Sequence, residues 1–169
     1  TSNSAGGAYH IIDPNIQLGS NIDVEADGQP TTDADGDDNA SSPDDEDGVT
    51  FDTPLIPGEV ATITVEVVGA GNLSAWVDFN TDGDFDIGEQ VFANTPLITG
   101  SHSLSFTVPV NAVLGEAGIR VRYTTDILSS HAGPANDGEV EDYIQPILRL
   151  DYGDLPDSGS VAGYATQAY

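Results

Sequence analysis

The stretch EVATITVEVVG, residues 59–69, decides the fold class. Ala61, Ile63, Val65 and Val67 fall on one face of an extended chain, with Thr62, Thr64 and Glu66 on the other. A period of two built largely from β-branched residues is the pattern of a half-buried antiparallel strand. SHSLSFTVP (101–109) repeats it, with Leu104, Phe106 and Val108 opposite Ser103, Ser105 and Thr107. In AGIRVRYTT (117–125), Ile119, Val121 and Tyr123 oppose Arg120 and Arg122. VTFDT (49–53), LSAWVDF (73–79), EQVFANT (89–95) and EVEDYIQPILRL (139–150) complete a set of about seven strands, and no stretch has a helical period. The expected fold is all-β: an antiparallel β-sandwich of immunoglobulin-like size over residues 48–150.

Charge dominates the rest of the chain. Its 169 residues hold 29 acidic and 3 basic side chains, no lysine and a formal net charge of −26. Self-repulsion of that size strains a compact state, and metal cations are the obvious means of neutralising it. Nucleic acid and anionic membranes need the basic residues this chain lacks, so neither is an expected partner. No apolar run is long enough for a membrane span. With no cysteine, no disulfide and no zinc–thiolate site is available. The absence of methionine suggests that Thr1 follows processing or excision from something longer. The composition suits an extracellular or cell-surface protein in calcium-bearing water.

The most specific motif is DFNTDGDFDIGE, residues 78–89. Asp78, Asn80 and Asp82 stand at positions 1, 3 and 5 of a calcium loop, and Gly83 at its sharp turn. Asp84 is placed to offer its backbone carbonyl, Asp86 to act at position 9, and Glu89 to close the loop as a bidentate ligand. A hard cation requires several convergent oxygens, and closely spaced side chains on a tight turn supply them. The flanking residues read as strands, so the ion is expected to be structural, held in a connection between strands with no helices to move.

Residues 1–47 have little periodicity and read as an acidic, loop-rich segment packing on the sandwich. Asp23, Glu25 and Asp27, then Asp33, Asp35, Asp37 and Asp38, then Asp44, Asp45, Glu46 and Asp47 form glycine-punctuated clusters. These clusters are expected to bind further Ca2+, several ions in all, in preference to lying as a solvated tail. Glu139 and Glu141 share one face of a strand, with Asp142 opposite. They suggest either another calcium site or ion pairs with Arg120 and Arg122 on the neighbouring strand, and no catalytic role is expected. His10, His102 and His131 share no motif and read as surface or turn residues. Trp76 is expected in the core or against the calcium loop, the alternative being a sugar-stacking platform.

DGEVEDY, residues 137–143, resembles the signature of the GEVED domain, a module repeated in large bacterial cell-surface and secreted proteins. LGSNIDVEADGQP (18–30), DADGDD (33–38), DDEDGVTF (44–51), the calcium loop, LSFTVP (104–109) and DYGDLPDS (151–158) agree with it. The resemblance implies a β-rich, calcium-associated surface module with a stalk, adhesive or matrix role and no catalysis. In such proteins DYGDLPDS ordinarily opens a unit, whereas here it falls in the last piece, residues 151–169. That permutation suggests a tail that completes its own or a neighbouring subunit, with Asp151, Asp154 and Asp157 sharing calcium with the Asp23–Asp47 clusters. In trans this gives a head-to-tail filament. The rival expectation is a calcium-dependent carbohydrate-binding module.

Overall fold

The structure, a computed structural model, describes residues 7–22 and 46–151. Asp23, Glu25, Asp27, Asp33, Asp35, Asp37, Asp38, Asp44, Asp45, Asp154 and Asp157 lie outside the described residues.

The strands are β1 (Ala8–His10), β2 (Gln17–Leu18), β3 (Val49–Phe51), β4 (Val60–Val68) and β5 (Gly71–Val77), then β6 (Gln90–Leu97), β7 (Gly100–Thr107), β8 (Gly115–Thr124), β9 (Gly133–Ala135) and β10 (Glu139–Ile147). All the strands expected from alternation form. Three short ones were not expected: β1 and β2, within a segment read as loops, and β9. β1, β2 and β9 are too brief to show a period, and β3, equally short, is legible only through the β-branched and aromatic residues of VTFDT.

The strands make two antiparallel sheets. In one, the order is β10-β8-β5-β6. In the other, β4 is central: β7 runs along one side of it, and β2 and β3 share the other, pairing with Leu18 opposite Val67 and Phe51 opposite Ile63. The apolar faces seen in the sequence meet between the sheets. Ala61, Ile63, Val65 and Val67 pack with Leu73, Ala75, Val77, Ile119, Val121 and Tyr123 in one buried cluster. Burial of this apolar area is the main force holding the layers together.

The outer face of the β10-β8-β5-β6 sheet is covered as well. Trp76, Arg120 and Arg122 point outward from it, yet are only 4%, 8% and 0% exposed. A two-stranded parallel sheet, β1 with β9, and the segment leading into β9 supply the cover through His10, His131 and the carbonyls of Ser130, Ala132 and Gly133. This parallel pair is the one departure from the antiparallel expectation among the described strands.

Candidate metal loop and a buried acidic motif

Residues 78–89 connect the adjacent antiparallel strands β5 and β6, as their flanks predict. Two phenylalanines anchor the loop. Phe79 is 5% exposed and packs on Phe106 in the core, whereas Phe85 lies against His131 and below the Arg120 guanidinium, 5.8 Å from its ring centre. Between these anchors the backbone bends through Thr81 (φ 57°) and Gly83 (φ 89°). The second is a conformation glycine adopts at little cost.

The first and last acids act as staples. Asp78 accepts the N–H groups of Asp82 (3.3 Å) and Gly83 (3.0 Å). Glu89 accepts those of Phe79 (2.8 Å) and Asn80 (3.2 Å) through Oε1, and that of Asp86 (2.8 Å) through Oε2. Both are buried. Asn80 accepts from the N–H of Asp82, and Asp82 from that of Asp84. The exposed carboxylates of Asp82, Asp84 and Asp86 converge, with one oxygen from each lying within 4.8 Å of the others.

The side chain of Asp84 joins this group, where the spacing had assigned it only a backbone carbonyl. Asp78 and Glu89 stand beside the group as staples. Each Asp78 oxygen and Glu89 Oε2 accepts one N–H bond and keeps a lone pair, whereas Glu89 Oε1 accepts two and is filled. Every donor here is a hard oxygen, the set suited to calcium or magnesium and unsuited to soft metals. Asp82, Asp84 and Asp86 would hold such an ion, with Asp78, Asn80 and Glu89 beside them.

In DGEVEDY each polar side chain has a partner, and most of these lie far away in sequence. Asp137 accepts from the Thr124 hydroxyl and the Thr125 N–H, both at 2.7 Å, and from the Thr125 hydroxyl. Burial alone would raise its carboxyl pKa, but the Thr125 and Thr124 hydrogen bonds and the nearby His10 outweigh it and hold the value below the ordinary range. Gly138 has φ 88°, and a Cβ there would sit 1.9 Å from the Tyr123 carbonyl oxygen, so only glycine fits.

Glu139 and Glu141 are 5% and 1% exposed. Glu139 accepts the N–H of Leu18 at 2.8 Å, and Glu141 accepts the N–H of Gly48 at 3.0 Å. The Tyr143 hydroxyl donates to Glu141 at 2.7 Å and accepts the N–H of Val49 at 3.1 Å. Burial, followed by the charge of Glu141, raises the Tyr143 pKa and keeps it a proton donor.

The expected pairing of Glu139 and Glu141 with the arginines does not occur. In the β10–β8 register Glu139 stands opposite Tyr123 and Glu141 opposite Val121, on the core side, while Arg122 and Arg120 face Val140 and Asp142 on the other side. Arg120 therefore pairs with Asp142, its Nε donating at 2.7 Å. Arg122 donates to His10 Nε2 (3.0 Å) and to the carbonyls of Ser130, Ala132 and Gly133. Burial, with a smaller effect from Arg120, lowers its pKa to about 10, so it stays charged at neutral pH.

Leu18 and Gly48 flank the acidic segment of residues 23–45, so the two buried glutamates grip its two roots. Asp47 ties the roots to each other, accepting the Ser20 N–H (2.9 Å) and hydroxyl (2.7 Å) and the Asn21 side-chain amide (2.7 Å). Asp47 thus serves as a clasp. Glu46 is half-buried near Tyr143, and Asp151 is exposed.

His10 is a second correction, since it is not a surface residue. Its Nε2 receives the Arg122 Nε–H, so Nδ1 carries the proton and donates to the Asp137 carbonyl at 2.8 Å. Burial and then Arg122 lower its pKa to about 4, against weaker raising by Asp137 and Asp126. A folded-state pKa below the ordinary 6.5 means that the folded state binds fewer protons than the unfolded chain in that range. The stability this site contributes is therefore present above pH 6.5 and lost as pH falls towards about 4. Relative to His10→Gln, which keeps an acceptor but does not titrate, the wild type should lose stability across that window. Urea titrations at several pH values measure it, and parallel profiles for the two proteins would contradict the assignment. His131 is also held below its ordinary pKa, by burial first and then by Arg120. His102 lies within β7, opposite Val65, and its ring bonds to the Ile98 carbonyl at the turn before the strand.

Residues 72–145 match the family model described as GEVED domain. The match agrees with the resemblance carried by DGEVEDY. The matched span runs from β5 into β10 and so contains the candidate metal loop, nearly all of the β10-β8-β5-β6 sheet and the DGEVEDY motif. It leaves β1 to β4 outside. No curated protein and no solved structure is significantly similar to the chain. Among the described residues no helix is long and apolar enough to cross a membrane.

Proposed function

We propose that this GEVED-domain chain is an extracellular, calcium-stabilised structural module, the subunit of a head-to-tail filament or surface array or one repeat of an adhesin. The observation that carries the reading is the exposed, oxygen-only loop between β5 and β6, where three carboxylates converge in a chain of net charge −26. The buried glutamates support it as well, since Glu139 and Glu141 fix Leu18 and Gly48, the described residues that lead to and from the acidic clusters. Two of the three basic residues are buried, which leaves little to attract nucleic acid.

Sites of the extracellular class hold calcium with dissociation constants of about 10⁻⁴–10⁻³ M. Binding to the folded state alone then adds about 1–3 kcal/mol per site, the upper figure at calcium about a hundredfold above that constant. Several such ions would take the place that disulfides hold in other secreted domains.

Thermal unfolding in millimolar calcium and in excess EDTA tests the proposal. The melting temperature should fall by several degrees or more in EDTA, and Asp82→Asn with Asp86→Asn should remove part of that difference. An unchanged melting temperature would leave the acidic surface as merely solvated charge and sink the calcium reading. Assembly through the tail has its own check: concentration-dependent polymers in calcium should disappear when residues 151–169 are deleted. Carbohydrate binding through Trp76 is disfavoured, because the ring is 4% exposed and covered at its edge by His131.

A further inference from the structure

Residues 90–115 contain no Asp, Glu, Lys or Arg, although 29 acidic residues are spread over the rest of the chain. This run folds into β6, β7 and the segment that follows β7. Its strands are the edge of one sheet and the edge of the other, joined by the turn at 98–99. Phe92 of β6 and Phe106 of β7 meet at 5.9 Å and close the side of the sandwich between them. Among the described residues, β6 and β7 thus form a flank whose own strands carry no acidic or basic side chain, with Glu66 of β4 opposite Ser101, and the run exposes Ile98 (68%) and Val110 (82%).

The two edges differ in how they are protected. β6 carries Pro96, a left-handed Asn94 (φ 50°) and register shifts against β5, all features that interrupt pairing on an edge. β7 carries no proline and no register shift, and its one positive φ is at its first residue, Gly100 (135°). It pairs with β4 over all of its eight residues without a shift, and among the described residues β4 is its only strand partner. Alternate residues of such a strand turn their N–H and C=O groups away from the neighbour, which makes an open template for another strand.

We propose that the free edge of β7 pairs antiparallel with β7 of a second copy of this chain, giving a two-fold dimer with one continuous sheet across both molecules. Charge selects this partner. A basic protein would be drawn to the acidic surface elsewhere, whereas another copy meets strong repulsion everywhere except along this flank. Centred on Leu104, the pairing sets Ser103 opposite the partner's Ser105, both small and exposed. It also extends over Leu104 the sheet that now leaves it half-covered. The contact is isologous and closes on itself, so it joins two molecules sideways and is independent of calcium binding by the loop or the tail.

Sedimentation velocity of the full chain in millimolar calcium, from micromolar to submillimolar protein, tests the dimer. Wild type should pass from monomer to dimer, and added sodium chloride should strengthen association by screening the remaining repulsion. Ser103→Glu with Ser105→Glu sets like charges opposite each other and should raise the dissociation constant about tenfold or more. Thr50→Glu, an added charge on β3 away from this edge, should leave dimerisation intact. Deleting residues 151–169 should also leave it intact, which separates it from assembly through the tail. Circular dichroism and an unchanged melting temperature verify that the variants are folded. A wild type that stays monomeric at the highest concentration and salt, or a double-glutamate variant that dimerises as tightly as wild type, overturns the proposal.

Discussion

Glu141→Ala is expected to destabilise the domain by about 3–5 kcal/mol, because it strips a buried charged acceptor from partners that cannot reach water. For a chain of this size that corresponds to a melting temperature lower by about 10 °C. The Gly48 N–H and the Tyr143 hydroxyl both lose an acceptor, and a cavity opens between β10 and the start of β3. The loss should be local before it is global. Amide exchange should accelerate first around Leu18 and residues 46–51, the roots of the acidic segment, while β5 and β8 stay protected. Tyr143→Phe is the milder comparison, keeping the ring against Phe51 and losing only the hydroxyl, at about 1–2 kcal/mol. If Glu141→Ala melted within a degree or two of wild type, the clamp would have no energetic role.

Arg122→Ala should be of similar size, about 3–5 kcal/mol, for a related reason. The guanidinium is fully buried and donates to His10 and to three backbone carbonyls at Ser130, Ala132 and Gly133. Removing it leaves those carbonyls without a donor, and each unsatisfied buried group costs about 1–3 kcal/mol where the segment cannot relax. The β1–β9 sheet should loosen, and the region around Trp76 should gain water, visible as a red shift of its fluorescence before global unfolding. Arg122→Lys should recover only part of the loss, since an ammonium cannot span the positions a planar guanidinium reaches. Full recovery by lysine would mean that charge alone matters there and that the fork of hydrogen bonds does not.

Both effects concern polar groups that the sequence shows clearly but cannot pair. Alternation assigned the faces of β8 and β10 correctly: Arg120 with Arg122 on one side, Glu139 with Glu141 on another. It did not supply the register that sets the two pairs on opposite sides of one sheet. Opposite charges on neighbouring strands invite an ion pair on paper. A one-residue difference in register decides whether they meet, because side chains alternate with a period of two. His10 was missed for a similar reason, since its partners Arg122 and Asp137 are more than a hundred residues away.

By itself the sequence determined the class of the fold, its seven expected strands, the hairpin position of the candidate metal loop and the resemblance of residues 72–145 to the GEVED domain. Those features rest on local periodicity, turn chemistry and spacing, which a linear chain displays directly. Only the tertiary structure decided that the glutamates of DGEVEDY grip the roots of the acidic segment, that Trp76 and two arginines are covered by a third layer, and that the uncharged run becomes one flank with an open edge. The physical reason is the same in each case. A buried polar group is tolerated only where distant backbone completes its hydrogen bonds, and which backbone arrives is settled by the packing of whole sheets.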